Sequence, residues 1–145
     1  MAKTERHIDA KPETVFAVLS DPYSYGYWVV GSEKIREADA HWPAPGSRFH
    51  HTVGVGPFKV NDHTLSEKME SPSLLELRAK ARPLGTAKVR LELEPEGTGT
   101  RVRMFEDAAD LLSALVFNPL THLLVRGRNE ESLRRLGELA ERKRA

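Results

Sequence analysis

The sequence predicts an α+β fold: an antiparallel sheet of about seven strands crossed by one long C-terminal helix. Three observations carry this. The stretch from about Ala109 to Arg142 holds the one long helical pattern in the 145 residues. From Ser32 to Glu106 the chain alternates apolar and polar residues between tight-turn signals. Ahead of Ser32 there is room for one short strand and two short helices, so the order is strand, two helices, six strands, closing helix.

Thr4 to Asp9 reads as the first strand. Pro12 then suits a first helical turn, with Glu13 beside the positive helix end. Val15, Phe16, Val18 and Leu19 give that helix an apolar side as far as Ser20. Asp21-Pro22 repeats the start signal for a brief aromatic helix carrying Tyr23, Tyr25, Tyr27 and Trp28.

Ser32 to Ala40 is the next strand, stopped by Trp42-Pro43-Ala44-Pro45-Gly46. Ser47–Val55 and Phe58–Met69 form a hairpin about Gly56-Pro57, and Ser71-Pro72 breaks the chain again. Leu74–Arg82 and Thr86–Glu94 flank Pro83-Leu84-Gly85, and Thr100–Glu106 follows the turn Glu96-Gly97-Thr98-Gly99. In the closing helix Leu112, Leu115, Val116, Leu123, Leu133, Leu136 and Leu139 recur near a period of 3.6. Asn118-Pro119 falls inside it, where proline removes a backbone hydrogen bond and predicts a kink or a break. No repeat, low-complexity tract or linker divides residues 1–145, so one domain is expected.

Composition narrows the function. The net charge of +1 argues against nucleic acid as a main partner, since phosphate binding asks for a basic excess. The absence of cysteine excludes disulfides, thiolate catalysis and cysteine–zinc sites. No apolar stretch reaches membrane-spanning length, and the polar start lacks the apolar core of a signal peptide. The expectation is a cytoplasmic domain without membrane insertion, as monomer or homodimer.

Alternation assigns faces. With Val55 opposite Phe58, one face of the hairpin carries Phe49, His51, Val53, Val60, Asp62 and Thr64, and the other carries His50, Thr52, Lys59, Asn61 and His63. The first set is the inward one, and it sets His51 opposite Asp62 and Phe49 opposite Thr64. Opposed Cβ atoms lie about 5 Å apart, within reach of an imidazole–carboxylate interaction. His51 and Asp62 are therefore candidate catalytic or ligand-orienting residues; the alternative is a polar pair near the sheet edge satisfied by water or backbone. Leu75, Leu77, Ala79 and Ala81 share the inward face with Ala87, Val89, Leu91, Leu93, Val102, Met104 and, by parity, Glu106. The alanines leave volume unfilled. Glu106 is either a ligand-binding acid or a cap that meets solvent at the following helix.

On the closing helix, the stripe of Leu133, Leu136 and Ala140 extended backward reaches Asn129, Arg126 and His122. Arg126 and Asn129 would meet a ligand's oxygen atoms, or pair with Glu106 or Asp62, or both. Trp28 and Tyr27 are placed at the mouth of the space or in the core. His50 and His63 oppose each other on the outer face, but no third ligand suggests a metal site, and no cofactor is implied. The basic residues of the outer strand faces are interleaved with Glu76, Glu92 and Glu94, as on a solvated sheet. Gly54-Val55-Gly56-Pro57 lacks the helix a phosphate loop requires.

Several segments carry a family resemblance. They are Ile8-Asp9-Ala10-Lys11-Pro12-Glu13-Thr14-Val15-Phe16, Trp42-Pro43-Ala44-Pro45-Gly46-Ser47-Arg48-Phe49, Glu94-Pro95 through Gly99-Thr100-Arg101-Val102, and the helix Asn129 to Leu136. Together the sequence resembles the START-related helix-grip superfamily (SRPBCC), in particular its bacterial polyketide cyclase/dehydrase and lipid-transport-like members. The resemblance implies a curved antiparallel sheet gripping the C-terminal helix around an internal apolar cavity. It carries no catalytic motif, so function rests on the site.

Three readings follow. The first is a binding protein for a small hydrophobic or aromatic ligand, lipid or polyketide-like. Trp28, Phe49, Val53, Val60, Leu77, Leu91 and Met104 would supply apolar contact, and His51, Asp62, Thr64, Glu106, Arg126 and Asn129 would orient polar groups. The second is a cyclase or dehydratase with His51 as general base, Asp62 orienting it and Arg126 stabilising an enolate oxygen. The third is a protein-interaction, co-chaperone-like domain, which predicts a large exposed apolar patch and an insignificant cavity.

Overall fold

The computed structural model describes residues 2–30, 32–55, 58–81, 85–107 and 119–144, the side chains at 2, 53–55, 58, 81, 85 and 119–126 excepted. The chain runs through β1 (Ala2–Ile8), α1 (Pro12–Leu19), a 3₁₀ turn (Pro22–Ser24), α2 (Tyr25–Trp28) and β2 (Ser32–Ala38). It continues through β3 (Arg48–Val55), β4 (Phe58–Glu70), β5 (Leu74–Ala81), β6 (Gly85–Glu96) and β7 (Gly99–Asp107), and closes with α3 (Pro119–Arg144).

Local chemistry sets these limits as expected. Pro12 opens α1 with Glu13 in its first turn, and the Asp21 carboxylate accepts the Tyr23 N–H at 3.0 Å to start the 3₁₀ turn. The β6–β7 turn needs both of its glycines. Gly97 has φ +61°, and a Cβ at Gly99 would lie 2.3 Å from the Ile8 carbonyl oxygen. The described part of α3 opens at Pro119. The closing-helix prediction over 109–118, with the kink or break at Asn118-Pro119, lies outside the described residues.

The seven strands form one antiparallel sheet in the order β1-β7-β6-β5-β4-β3-β2. Sequential hairpins build six of the strands, and β1 closes the far side against β7, Thr4 opposite Met104. The β3–β4 register is the expected one throughout, with Val55 opposite Phe58, His51 opposite Asp62 and Phe49 opposite Thr64. Irregularities at Glu33, Arg36 and Glu67 each insert one residue. The one at Glu67 inverts the alternation, so that Met69 joins Leu75 on the inner face.

The core lies between that face and the helices. Leu75 faces Leu91, which faces Met104, and Leu93 faces Val102, giving a band across β5, β6 and β7. Leu133, Leu136 and Ala140 of α3 are fully buried, as are Val15 and Leu19 of α1. Each such leucine contributes about 1.5–3 kcal/mol of burial. Among the described residues, α3 rests chiefly on β1, α1 and α2. The sheet curves around it, giving the α+β helix-grip architecture.

Candidate functional site

The inner face of the sheet divides into two parts. Near the α1 end, Leu75, Leu77, Val89, Leu91 and Leu93 are sealed. One or two pairs farther along the same face, Val60, Ala79 and Ala87 stay partly accessible although their side chains share the inward parity. Polar residues gather in and beside this half: His51, Asp62, Thr64 and Glu106 on the sheet and Asn129 on the helix, each less than 9% exposed. Five such groups against a dry apolar core would be costly.

His51 is held by two partners. Its Nε2 lies 2.8 Å from the Lys80 carbonyl oxygen, which can only accept, so Nε2 carries the proton. Nδ1 then presents a lone pair, with the Thr64 hydroxyl 3.5 Å away. Burial pushes the imidazole below its ordinary pKa; the Lys80 carbonyl and Asp62 oppose this, while Arg36 and His50 add to it. The ring is therefore neutral near pH 7. The predicted His51–Asp62 facing pair is present in register, but the two ring nitrogens turn to Lys80 and Thr64, and the carboxylate acts on the ring through space. Asp62 accepts the His63 N–H at 2.9 Å. Arg36, at an irregularity of β2, donates to the carbonyl oxygens of His51 and Asp62 at 3.3 and 3.2 Å.

The reach of His51 to Lys80 has a topological cause. Pairing between β4 and β5 stops at Thr64–Ala79, whereas β3–β4 continues to Val55–Phe58 and β5–β6 to Ala81–Gly85. The two hairpin ends part from each other there, which leaves the Lys80 carbonyl available to a side chain crossing from β3.

At the other side, Glu106 is buried and both of its oxygens lie 2.5 Å from Arg128 Nη2. The Asn129 side-chain amide lies 3.5 Å from the same carboxylate and Asn129 is 1% exposed. Asn129 therefore faces the sheet as its place in the apolar stripe predicts. The side chain of Arg126 lies outside the described residues, as do those of His122 and Val53. The ion pair expected for Glu106 is made by Arg128, which helical periodicity places off the stripe; its long stem bends back while the head stays half-exposed. No spacing rule would single it out. Ser132, one turn further on, accepts the Val30 N–H at 3.0 Å and ties α3 to the α2–β2 connection.

An aromatic wall links these ends. Trp28 packs on Tyr25 (4.9 Å between centroids), Tyr25 on Phe49 (4.8 Å), and Phe49 on the His51 ring (5.8 Å). Tyr25 Oη and Trp42 Nε1 both donate to the Leu19 carbonyl, at 2.8 and 3.1 Å. Trp28 is 1% exposed and lies in the interior, while Tyr27 is 42% exposed and donates to Glu138 at 2.6 Å. Leu77, Leu91 and Met104 belong to the sealed core band. Among the described residues, three buried side-chain atoms have no hydrogen-bond partner: Thr4 Oγ1, Trp28 Nε1 and Ser32 Oγ. Thr4 borders an open groove of about 430 Å³ between β1 and α3, with Leu133 and Glu130.

On the outer face the His50 and His63 rings stand 6.0 Å apart, and among the described residues no three candidate metal ligands cluster. Arg78, Arg90 and Arg103 there pair with Glu67, Glu76 and Glu94, the pattern of a solvated face. No described helix is long and apolar enough to cross a membrane. The interior, in contrast, offers buried aromatic rings, a neutral imidazole and a buried carboxylate paired with a half-exposed guanidinium, beside accessible small residues, a combination suited to holding an apolar body and orienting its polar groups.

Comparison with known proteins agrees with this architecture. A protein of Thermus thermophilus superposes with a TM-score of 0.76 at 20% identity, covering 99% of both chains. A START superfamily protein from Mycobacterium smegmatis gives 0.76 at 16% identity over 97% of each chain. Ara h 8.0201 gives 0.70 at 11% identity, again over 97% of each. No curated protein matches the sequence closely enough to count as a relative. The family model for polyketide cyclase/dehydrase and lipid transport matches residues 2–141, and the chain belongs to that family.

Proposed function

We propose that this protein binds a small hydrophobic or aromatic molecule, lipid or polyketide-like, between the sheet and α3. The observation that supports this most directly is the contrast along one face: Leu77, Val89 and Leu91 are sealed, while Val60, Ala79 and Ala87 beyond them remain accessible. Apolar surface left open beside buried polar side chains favours an occupant that has both apolar and polar groups. In this reading Phe49 and Val60 contact the ligand body. The His51–Thr64 pair and the Glu106–Arg128–Asn129 cluster face its oxygen atoms, and Asp62 and Arg126 are placed with them. The family, which includes lipid transport, points the same way.

Native mass spectrometry of freshly purified protein tests this. The expected result is a mass excess that disappears on solvent extraction, and an extracted protein that takes up anilinonaphthalene sulfonate. Protein of bare mass that takes up no probe would overturn the reading.

A cyclase or dehydratase activity is the second reading, favoured by the neutral His51 whose Nδ1 lone pair faces the interior. The general base would then be oriented by the Lys80 carbonyl, with Asp62 acting through its charge. Turnover of a poly-ketone that survives His51→Ala unchanged would rule out His51 as the base. The protein-interaction reading has less support, because Tyr23 and Tyr27 are the sole large apolar side chains with high exposure among the described residues.

A further inference from the structure

Trp28 differs from every other buried aromatic with a polar handle among the described residues. Its indole is 1% exposed and its Nε1–H has no acceptor, whereas Tyr25 and Trp42 both reach the Leu19 carbonyl. An indole N–H can only donate, and a buried donor without a partner is costly to retain. Of the three unpartnered atoms, Thr4 Oγ1 belongs to a residue on the groove between β1 and α3. Trp28 lies instead among the core aromatics. Four residues on, Ser32 Oγ is likewise buried and unpartnered, and between the two Val30 is tied to Ser132 of α3. The connection from α2 to β2 therefore carries two idle hydrogen-bonding groups where it is clamped to the closing helix.

Trp28 also begins the stack that leads through Tyr25 and Phe49 to His51. The stack thus has an unpaired donor at its Trp28 end and the His51 Nδ1 acceptor at the other. We infer that the ligand carries an oxygen acceptor, a carbonyl or carboxylate, that docks on the Trp28 indole N–H, with the Ser32 hydroxyl as its neighbour. This rests on the ligand-binding reading above and narrows the ligand class. A plain hydrocarbon would leave the donor idle.

The test uses acetylnaphthalene and isopropenylnaphthalene, planar isosteres that exchange a carbonyl oxygen for a methylene. Affinities for both are measured by calorimetry with the wild-type protein and with Trp28→Phe, which keeps an apolar ring and removes the donor. The affinity of the acetyl compound relative to its isostere should fall about tenfold in Trp28→Phe, the value of one buried hydrogen bond. An unchanged ratio overturns the inference.

A readout on the unsubstituted protein covers the case in which that variant does not fold. Of the two tryptophan indole N–H signals in the proton–nitrogen spectrum, Trp42→Phe identifies the one belonging to Trp28. That signal should move downfield with the acetyl compound and not with its isostere; an equal response to both overturns the inference. If neither compound binds the wild-type protein while anilinonaphthalene sulfonate is taken up, this inference alone fails; if the probe is not taken up either, the ligand-binding reading falls and takes this inference with it. If both bind while the indole ignores the carbonyl, this inference alone fails.

Discussion

The two halves of the sheet's inner face share a fold, a register and a parity rule, yet they solve opposite problems. Around Leu75, Leu91 and Leu93 the side chains are long and sealed, and in the same core Tyr25 and Trp42 have their polar atoms bonded. Around Val60, Ala79 and Ala87 the side chains are short and accessible, and the neighbours are His51, Asp62 and Thr64. The first half carries stability. The second leaves apolar surface accessible beside buried polar groups that are held by one another and by the backbone. Keeping these features on different residues separates tight packing from accessible surface along a single face.

The largest expected effect falls in the sealed half. Leu91→Ala removes a fully buried side chain between Leu75 and Met104 and should cost about 2–5 kcal/mol in urea unfolding. A loss below about 1 kcal/mol would mean that this half is less tightly packed than its burial implies. Ala87→Leu probes the other half. It should leave stability nearly unchanged while weakening uptake of anilinonaphthalene sulfonate about tenfold, or ~1.4 kcal/mol. Destabilisation by about 1–3 kcal/mol, the signature of overpacking, would erase the contrast between the halves.

Tyr25→Phe is milder. It deletes a buried hydroxyl, but Trp42 still serves the Leu19 carbonyl, so a loss of about 1 kcal/mol by chemical denaturation is expected. The pH dependence of His51 is the subtlest contrast. Its pKa is lowered in the folded protein, so as pH falls below the ordinary imidazole range the unfolded chain takes up a proton that the folded one resists. The stability contributed by the neutral ring is therefore present above that range and lost as pH drops through the folded value. His51→Gln should flatten this part of the stability–pH curve, and an unaltered slope would show that the ring titrates freely.

Much of the architecture was legible in the residues. Alternation between Gly, Pro and Asn signals placed every strand within a few residues, because pleat and turn chemistry are local. The even loop about Gly56-Pro57 determined that His51 and Asp62 face each other, as they do. The same local logic put Asn129 on the stripe of α3 that meets the sheet.

Local rules do not choose partners across space. Facing residues share a register, but where a side chain turns depends on what the rest of the fold leaves open. The end of β4–β5 pairing at Thr64–Ala79 freed the Lys80 carbonyl and drew His51 away from Asp62. Arg128, a residue off the apolar stripe, reached Glu106 because a long side chain is not bound to the direction of its Cβ. Nor can alternation say which inward residues are covered, since that depends on the path of α3 over the sheet. The order of residues specifies the container and the face on which its polar groups stand. Which of those groups are already satisfied and which, Trp28 foremost, still lack a partner emerges in three dimensions, because burial and hydrogen bonding are settled between segments far apart in the chain.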